Sequence, residues 1–302
     1  MNLTTELSST DIKAVWVLEN FGTEFTMDEV EVLYLRASVS QWKALKPGMP
    51  CYLICTETVK VYLETVGALS GFDGIDTEIL SSTDNVRRSP FWAAPKIKAM
   101  KSIGAPFVMM DNDLFIQNAT PLSQDDADLL NGDNPLVVNY LEDGYEHYIS
   151  SDDLLLSTAG ITDLYPPDYE AWAYNVSFLY IKEDSFKTTY ANRVWDWMEK
   201  LSAVYQEPSI DKSAPRWKMV PSNLHGGYMV FAEQKLLFDM AAEAGYATKT
   251  LIPDVYDCKG DLFLTSSLQQ SSVQHLGRKK LLLGNAADRE KYMAIVMPYI
   301  SI

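Results

Sequence analysis

The chain has 302 residues, 47% hydrophobic and 22% charged, an ordinary globular composition that excludes extended disorder and suffices for one large domain or two modest ones. A formal net charge of -16 argues against a nucleic-acid backbone or an anionic membrane as a general partner, because both require a basic surface. An anionic ligand must then be recruited locally, and a bound cation is one direct way to do so.

The first residues, Met1 to Thr10, lack the basic start and apolar core of a signal peptide, and no apolar run approaches the roughly 18 to 20 residues of a membrane span. A soluble, cytoplasmic protein is expected. Ile12 to Leu18 reads as a strand. Met27 to Leu45 then carries Val30, Leu33, Tyr34, Ala37 and Val39 to Trp42 at near-helical spacing, and Pro47-Gly48 stops it. Pro50 to Cys55 reads as a second strand. Its Cys51 and Cys55, with Cys258 the only other cysteine, form no Cys-x-x-Cys pair, so buried thiols are expected rather than disulfides or structural zinc. Thr58 to Leu69 predicts a short helix, Asp76 to Leu80 a strand, and Phe91 to Ile103 a helix ended by Gly104 and Pro106. Trp92 within it is expected in the core. Phe107 to Met110 completes a β-α-β-α-β-α-β order, which predicts an α/β fold with a Rossmann-type, mostly parallel sheet flanked by helices. Ligands of such sheets bind beyond the carboxyl ends of the strands.

At that end stands Asp111-Asn112-Asp113, where an apolar run breaks into paired carboxylates. An unpaired buried carboxylate is costly, so these acids are expected at the strand's tip, offering hard oxygens to Mn2+ or Mg2+. Further on, Leu136 to Leu141 and Asn175 to Ile181 read as strands in a more mixed C-terminal half. Asp143 to Pro167 is acidic and turn-rich, which suits a loop over the site. Asp184 to Leu201 is expected to be helical with Phe186, Tyr190, Val194, Trp197 and Met198 facing the core, and Gly227 to Ala244 is expected to form a second long helix. Near the C-terminus, His275-Leu276-Gly277-Arg278-Lys279-Lys280 groups an imidazole, a permissive glycine and a basic cluster, a combination suited to a metal and a diphosphate.

Taken together, these segments resemble the GT-A fold glycosyltransferases that depend on an Asp-x-Asp motif, in particular the glycogenin-like and lipopolysaccharide galactosyltransferase-like retaining families. The histidine element is similar to their His-x-x-Gly-x-x-Lys, with the glycine here two rather than three positions after His275. The resemblance implies Asp111, Asp113 and His275 as metal ligands. It implies Asp111, Lys96, Gly277, Lys279 and Lys280 around a nucleoside-diphosphate sugar, most commonly a UDP-sugar. It also implies Glu233, Gln234 and Asn175 as catalytic or sugar-orienting groups. Asn175 begins a strand like the one that follows Asp-x-Asp in such enzymes, with Ser177 where glycine is commoner. Glu233-Gln234 is similar to the dyad facing the transferred sugar, although a solvated helix charge beside Lys235 is the plainer reading of Glu233. The histidine element leans towards retention of configuration, while Glu233 leaves a base for inversion.

The expected organisation is a single catalytic domain over residues 1–302, with a nucleotide-binding half at about 1–120 and an acceptor half at about 121–302. The glycan or other acceptor is unspecified. A haloacid-dehalogenase-type phosphatase also places two Asp residues one apart after a strand, but usually on the first strand and before a small hydroxyl residue, where this chain has Leu114-Phe115. A non-catalytic carbohydrate-binding relative is the other alternative; donor hydrolysis by the purified protein discriminates it.

Overall fold

A computed structural model describes residues 3–20, 24–124, 127–130, 133–143, 172–205, 225–253, 255–257, 273–276 and 283–300. After a short helix α1 (Leu3–Leu7), the first half alternates as expected: β1 (Lys13–Leu18), α2 (Glu29–Leu45), β2 (Cys51–Cys55), α3 (Glu57–Thr65), β3 (Gly74–Asp76), α4 (Ala94–Ser102) and β4 (Phe107–Met110). Then come β5 (Leu114–Ile116), the two-residue strands β6 (Ser123–Gln124) and β7 (Ala127–Asp128), β8 (Leu136–Asp143), β9 (Trp172–Ile181) and α5 (Asp184–Val204). The remaining elements are a helix whose parts are α6 (His225–Val230), a π turn (Phe231–Lys235) and α7 (Leu236–Glu243), followed by β10 (Lys249–Thr250), β11 (Val255–Asp257), β12 (Val273–His275) and α8 (Ala286–Val296).

The main sheet has eight strands, seven of them in the order β10-β8-β9-β4-β1-β2-β3, with β11 also paired to β8. Within it only β9 runs against the others, antiparallel to both β4 and β8. Strand periodicity explains why the sheet is apolar on both faces. Ala14, Trp16 and Leu18 pack with α2 and α3, whereas Val15, Phe107 and Met109 pack with α4, α5 and the helix through Phe231. The expected α5 stripe of Phe186, Tyr190, Val194, Trp197 and Met198 is wholly buried. Cys51 and Cys55 are buried free thiols, as expected.

Local chemistry sets the element ends. Asp28 caps α2 by accepting from the Val30 amide at 2.8 Å, while Glu31 accepts from the Asp28 amide at 3.0 Å, a reciprocal capping box. Three boundaries differ from the expectation. β3 stops at Asp76 instead of starting there, because its Oδ1 accepts from the amides of Glu78 and Ile79 at 3.0 and 2.8 Å and bends the chain into a turn. α3 ends at Thr65, short of Leu69, and Gly67 follows at φ +68°, the left-handed conformation that terminates helices. α4 begins at Ala94 rather than Phe91, with Pro95 in its first turn. Phe91 is nonetheless buried, whereas Trp92 is 44% exposed and not a core residue. The expected loop beyond Asp143 lies outside the described residues. Among the described residues, no helix is long and apolar enough to cross a membrane.

Candidate functional site

The carboxyl ends of β1 and β4 flank the point where successive connections diverge, β2 and β3 lying on one side of β1 and β4 on the other. Crevices at such points receive ligands in open α/β sheets. There β4 gives way to Asp111, whose amide donates to the Ser177 carbonyl of β9 at 2.8 Å, and a tight turn returns the Leu114 amide to the Asp111 carbonyl at 3.2 Å. That turn starts β5, which pairs antiparallel with β12 so that Leu114 stands opposite His275, and the Leu276 amide donates to the Asp113 carbonyl at 2.9 Å. Backbone pairing thus delivers an imidazole from a distant part of the chain to the acids. His275 Nε2 lies 3.4 Å from Asp113 Oδ1 and 3.7 Å from Asp111 Oδ2, and the potential ligand atoms of all three residues lie within 4.8 Å of one another. Asp113 is buried, while Asp111 and His275 keep one side open.

Lys96 approaches the same carboxylate from α4. Its ammonium pairs with Asp111 Oδ1 and with Glu233 Oε1, the latter at 2.9 Å. Burial alone would drive this ammonium towards neutrality, but the charges of Asp111 and Glu233 outweigh it and hold its pKa above the usual lysine range. Burial raises the Glu233 carboxyl; Lys96 opposes that rise and Asp111 adds to it. The surface-charge reading of Glu233 is therefore incorrect: the residue is 5% exposed and faces Lys96. Lys235 is buried too, paired with Asp239 and lying 5.1 Å from the Phe238 ring centroid. Gln234 Oε1 is buried without a hydrogen-bond partner among the described residues.

Two carboxylates that share a small site repel each other, and a cation relieves that repulsion. Lys96 already serves Asp111 Oδ1, which leaves Oδ2 turned towards Asp113 and His275. Hard oxygens with one imidazole nitrogen suit a divalent ion such as Mn2+ or Mg2+.

Asn175 belongs to a buried polar chain. Its Oδ1 accepts from Ser177 Oγ at 2.7 Å and from the Ser177 amide at 3.2 Å, its Nδ2 donates to Glu142 Oε1 at 2.8 Å, and Asn139 Nδ2 donates to Ser177 Oγ at 2.7 Å. A bulge between β8 and β9 at Val138/Tyr140 makes room for it. Both ends of the Asn175 amide are thus engaged by protein, and the Ser177 carbonyl ties this network to Asp111. Asn139 and Glu142 were not anticipated; the signal was a polar residue inside an apolar strand. Gly277, Lys279 and Lys280 lie outside the described residues. Arg88, in the basic run before α4, spans Glu19 at 2.6 Å and Asp84 at 2.9 Å. Burial opposes ionisation of Asp84, but Arg88 and Lys98 hold its carboxyl down at about 2.

No protein-family model and no curated protein matches the chain. Among solved structures it is similar to the galactosyltransferase LgtC in complex with donor and acceptor sugar analogs, at 16% identity and a TM-score of 0.35, over 64% of this chain and 66% of that one, just under two thirds. It is similar to mouse xyloside xylosyltransferase 1 at 9% identity and a TM-score of 0.38, over 80% and 85% of the two chains. It is also similar to 4-diphosphocytidyl-2C-methyl-D-erythritol synthase from Anaerococcus prevotii, at 10% identity and a TM-score of 0.38, over 92% and 98%. None of these three likenesses exceeds a TM-score of 0.38, and the chemistry of the site rests on its own residues.

Proposed function

We propose that the chain is a glycosyltransferase of the GT-A kind that uses a divalent cation and a nucleoside-diphosphate sugar, with residues 1–302 acting as one catalytic domain. The observation that carries this reading is the meeting of Asp111, Asp113 and His275 beside the Lys96–Glu233 pair. Asp111 Oδ2, Asp113 and His275 Nε2 would hold Mn2+ or Mg2+, which when bound supplies Lewis-acid stabilisation to a departing diphosphate. The protein's own part is positional and electrostatic. Lys96 fixes the rotamer of Asp111 and keeps Glu233 in place, so that a carboxylate stands beside the ligand set to accept hydrogen bonds from sugar hydroxyls. Buried groups arranged before substrate arrives need no reorganisation as charge develops, which favours the transition state over the ground state. Gly277, Lys279 and Lys280 would lie near the diphosphate, and Gln234, whose Oε1 has no hydrogen-bond partner among the described residues, would face the sugar. Asn175 acts by holding Ser177 and Glu142 rather than by touching the acceptor directly. UDP-hexose is the donor class proposed, and retention the stereochemical outcome.

The test is calorimetric titration of UDP, then of UDP- and GDP-sugars, with Mn2+ and with chelator. Manganese-dependent binding of one nucleotide series is expected. Absence of binding to every nucleotide would move the reading to a phosphatase or to a fold without turnover.

A further inference from the structure

The helix from His225 to Glu243 contains one turn wound as a π helix, Phe231–Lys235, in which the Leu236 amide donates back to the Phe231 carbonyl. Such turns are rarer and less favourable than α turns and gather at functional sites, so something has to hold this one open. On the facing helix α5, the Tyr190 hydroxyl donates to the Glu233 carbonyl oxygen at 2.6 Å. Tyr190 is completely buried, and its phenol is kept protonated by burial first and by the nearby Glu233 second. It is therefore a hydrogen-bond donor at neutral pH. The same residue whose carbonyl takes this bond carries the side chain that meets Lys96 at 2.9 Å.

Resting on the function proposed above, we propose that Tyr190 is a positioning residue for the sugar half of the donor. It holds the π turn in the register that turns Glu233 inwards, and so reaches the transferred sugar through Glu233 without touching it. Among the described residues, the side-chain link from Glu233 to the ligand set is Lys96, and its pairing with Asp111 Oδ1 needs neither Tyr190 nor the π turn. The sugar and nucleotide halves of the donor should therefore respond separately.

Tyr190→Phe removes one oxygen and keeps the ring in its core. The measurement is calorimetric titration of UDP, UDP-glucose and UDP-galactose, with Mn2+ present, into wild type, Tyr190→Phe, Glu233→Gln and the double variant. Tyr190→Phe is expected to weaken the preferred UDP-sugar about tenfold while leaving UDP unchanged, and to add nothing further in the Glu233→Gln background. Equal loss for UDP and UDP-sugar, unchanged affinity for both, or additive losses in the double variant would each overturn the role. If wild type binds UDP only in the presence of Mn2+ and one of these overturning outcomes is found, the positioning role alone is wrong; if wild type binds none of the nucleotides, the donor reading falls and this role with it.

Discussion

Two lysines at opposite edges of the same sheet answer burial in opposite ways. Lys13 opens β1 at the amino edge, where its ammonium donates to the Ser9 and Gly104 carbonyls at 2.7 and 2.9 Å, and burial pushes its pKa down to about 8. Lys96 lies at the carboxyl edge with 15% of its side chain exposed, and the carboxylates of Asp111 and Glu233 hold its pKa up. The charges of Asp11 and Asp184 act on Lys13 without making up its desolvation, whereas the directly paired carboxylates of Asp111 and Glu233 do so for Lys96. The first lysine ties two loops to a strand; the second pairs with two acids of the candidate site. Burial of a charge does not by itself mark a functional site; what singles out Lys96 is that the carboxylate it pairs with also faces Asp113 and His275.

The largest contrast is expected on deleting each cation. Lys96→Met leaves Asp111 and Glu233 facing each other without a counter-charge, and should cost about 4 kcal/mol in urea unfolding at pH 7. Because Glu233 can then bind a proton in the folded state, the deficit should narrow at pH 5; a deficit that stays constant with pH would mean that packing, not charge, dominates. Next in size, Asp113→Ala should weaken Mn2+-dependent UDP binding by more than about 100-fold, with a melting temperature close to wild type, since it lies at a strand tip. Unchanged affinity would dismiss the ligand set. In the Arg88 cluster, the Asp84 carboxyl stands at about 2 against an ordinary 3.8, so it stabilises the fold above pH 4 and that stability is lost as the pH falls towards 2. The stability difference between wild type and Asp84→Asn should accordingly shrink by about 2 kcal/mol across that range.

The smallest effect is assigned to Lys13→Met, about 1 kcal/mol at pH 7, the cost of two carbonyls losing their donor partly offset by removal of a buried charge. Its pH signature is distinctive. The folded pKa of about 8 lies below the 10.5 of a free lysine, so between these values the unfolded chain holds more protons and wild-type stability rises with pH. Lys13→Met should lack that rise. If Lys13→Met cost as much as Lys96→Met, the distinction between the two edges would collapse.

Much of this architecture was readable in one dimension. Alternating apolar strands and periodic helices carry the β-α order through Met110, and the break from Met110 into Asp111 marks the strand's tip because charge is excluded from a covered sheet. The expectations that fail are local: Asp76 ends a strand instead of starting one, because its side chain accepts from the amides of the next turn, and Trp92 is exposed instead of lying in the core. Neither error moves the site. Harder to read were Asn139 and Glu142, which matter only because a bulge sets them against Ser177 and Asn175.

The linear sequence determined the fold class and nominated Asp111, Asp113, His275, Lys96 and Glu233, since each is a residue type whose chemistry is recognisable beside its neighbours. Tertiary structure alone decided that these five converge. His275 reaches the acids through the pairing of β12 with β5, and Glu233 turns from a candidate surface charge into a buried partner of Lys96 through a π turn braced by Tyr190. Contacts between residues more than a hundred positions apart depend on strand register and helix winding, and those are settled by packing the whole core rather than by any local pattern.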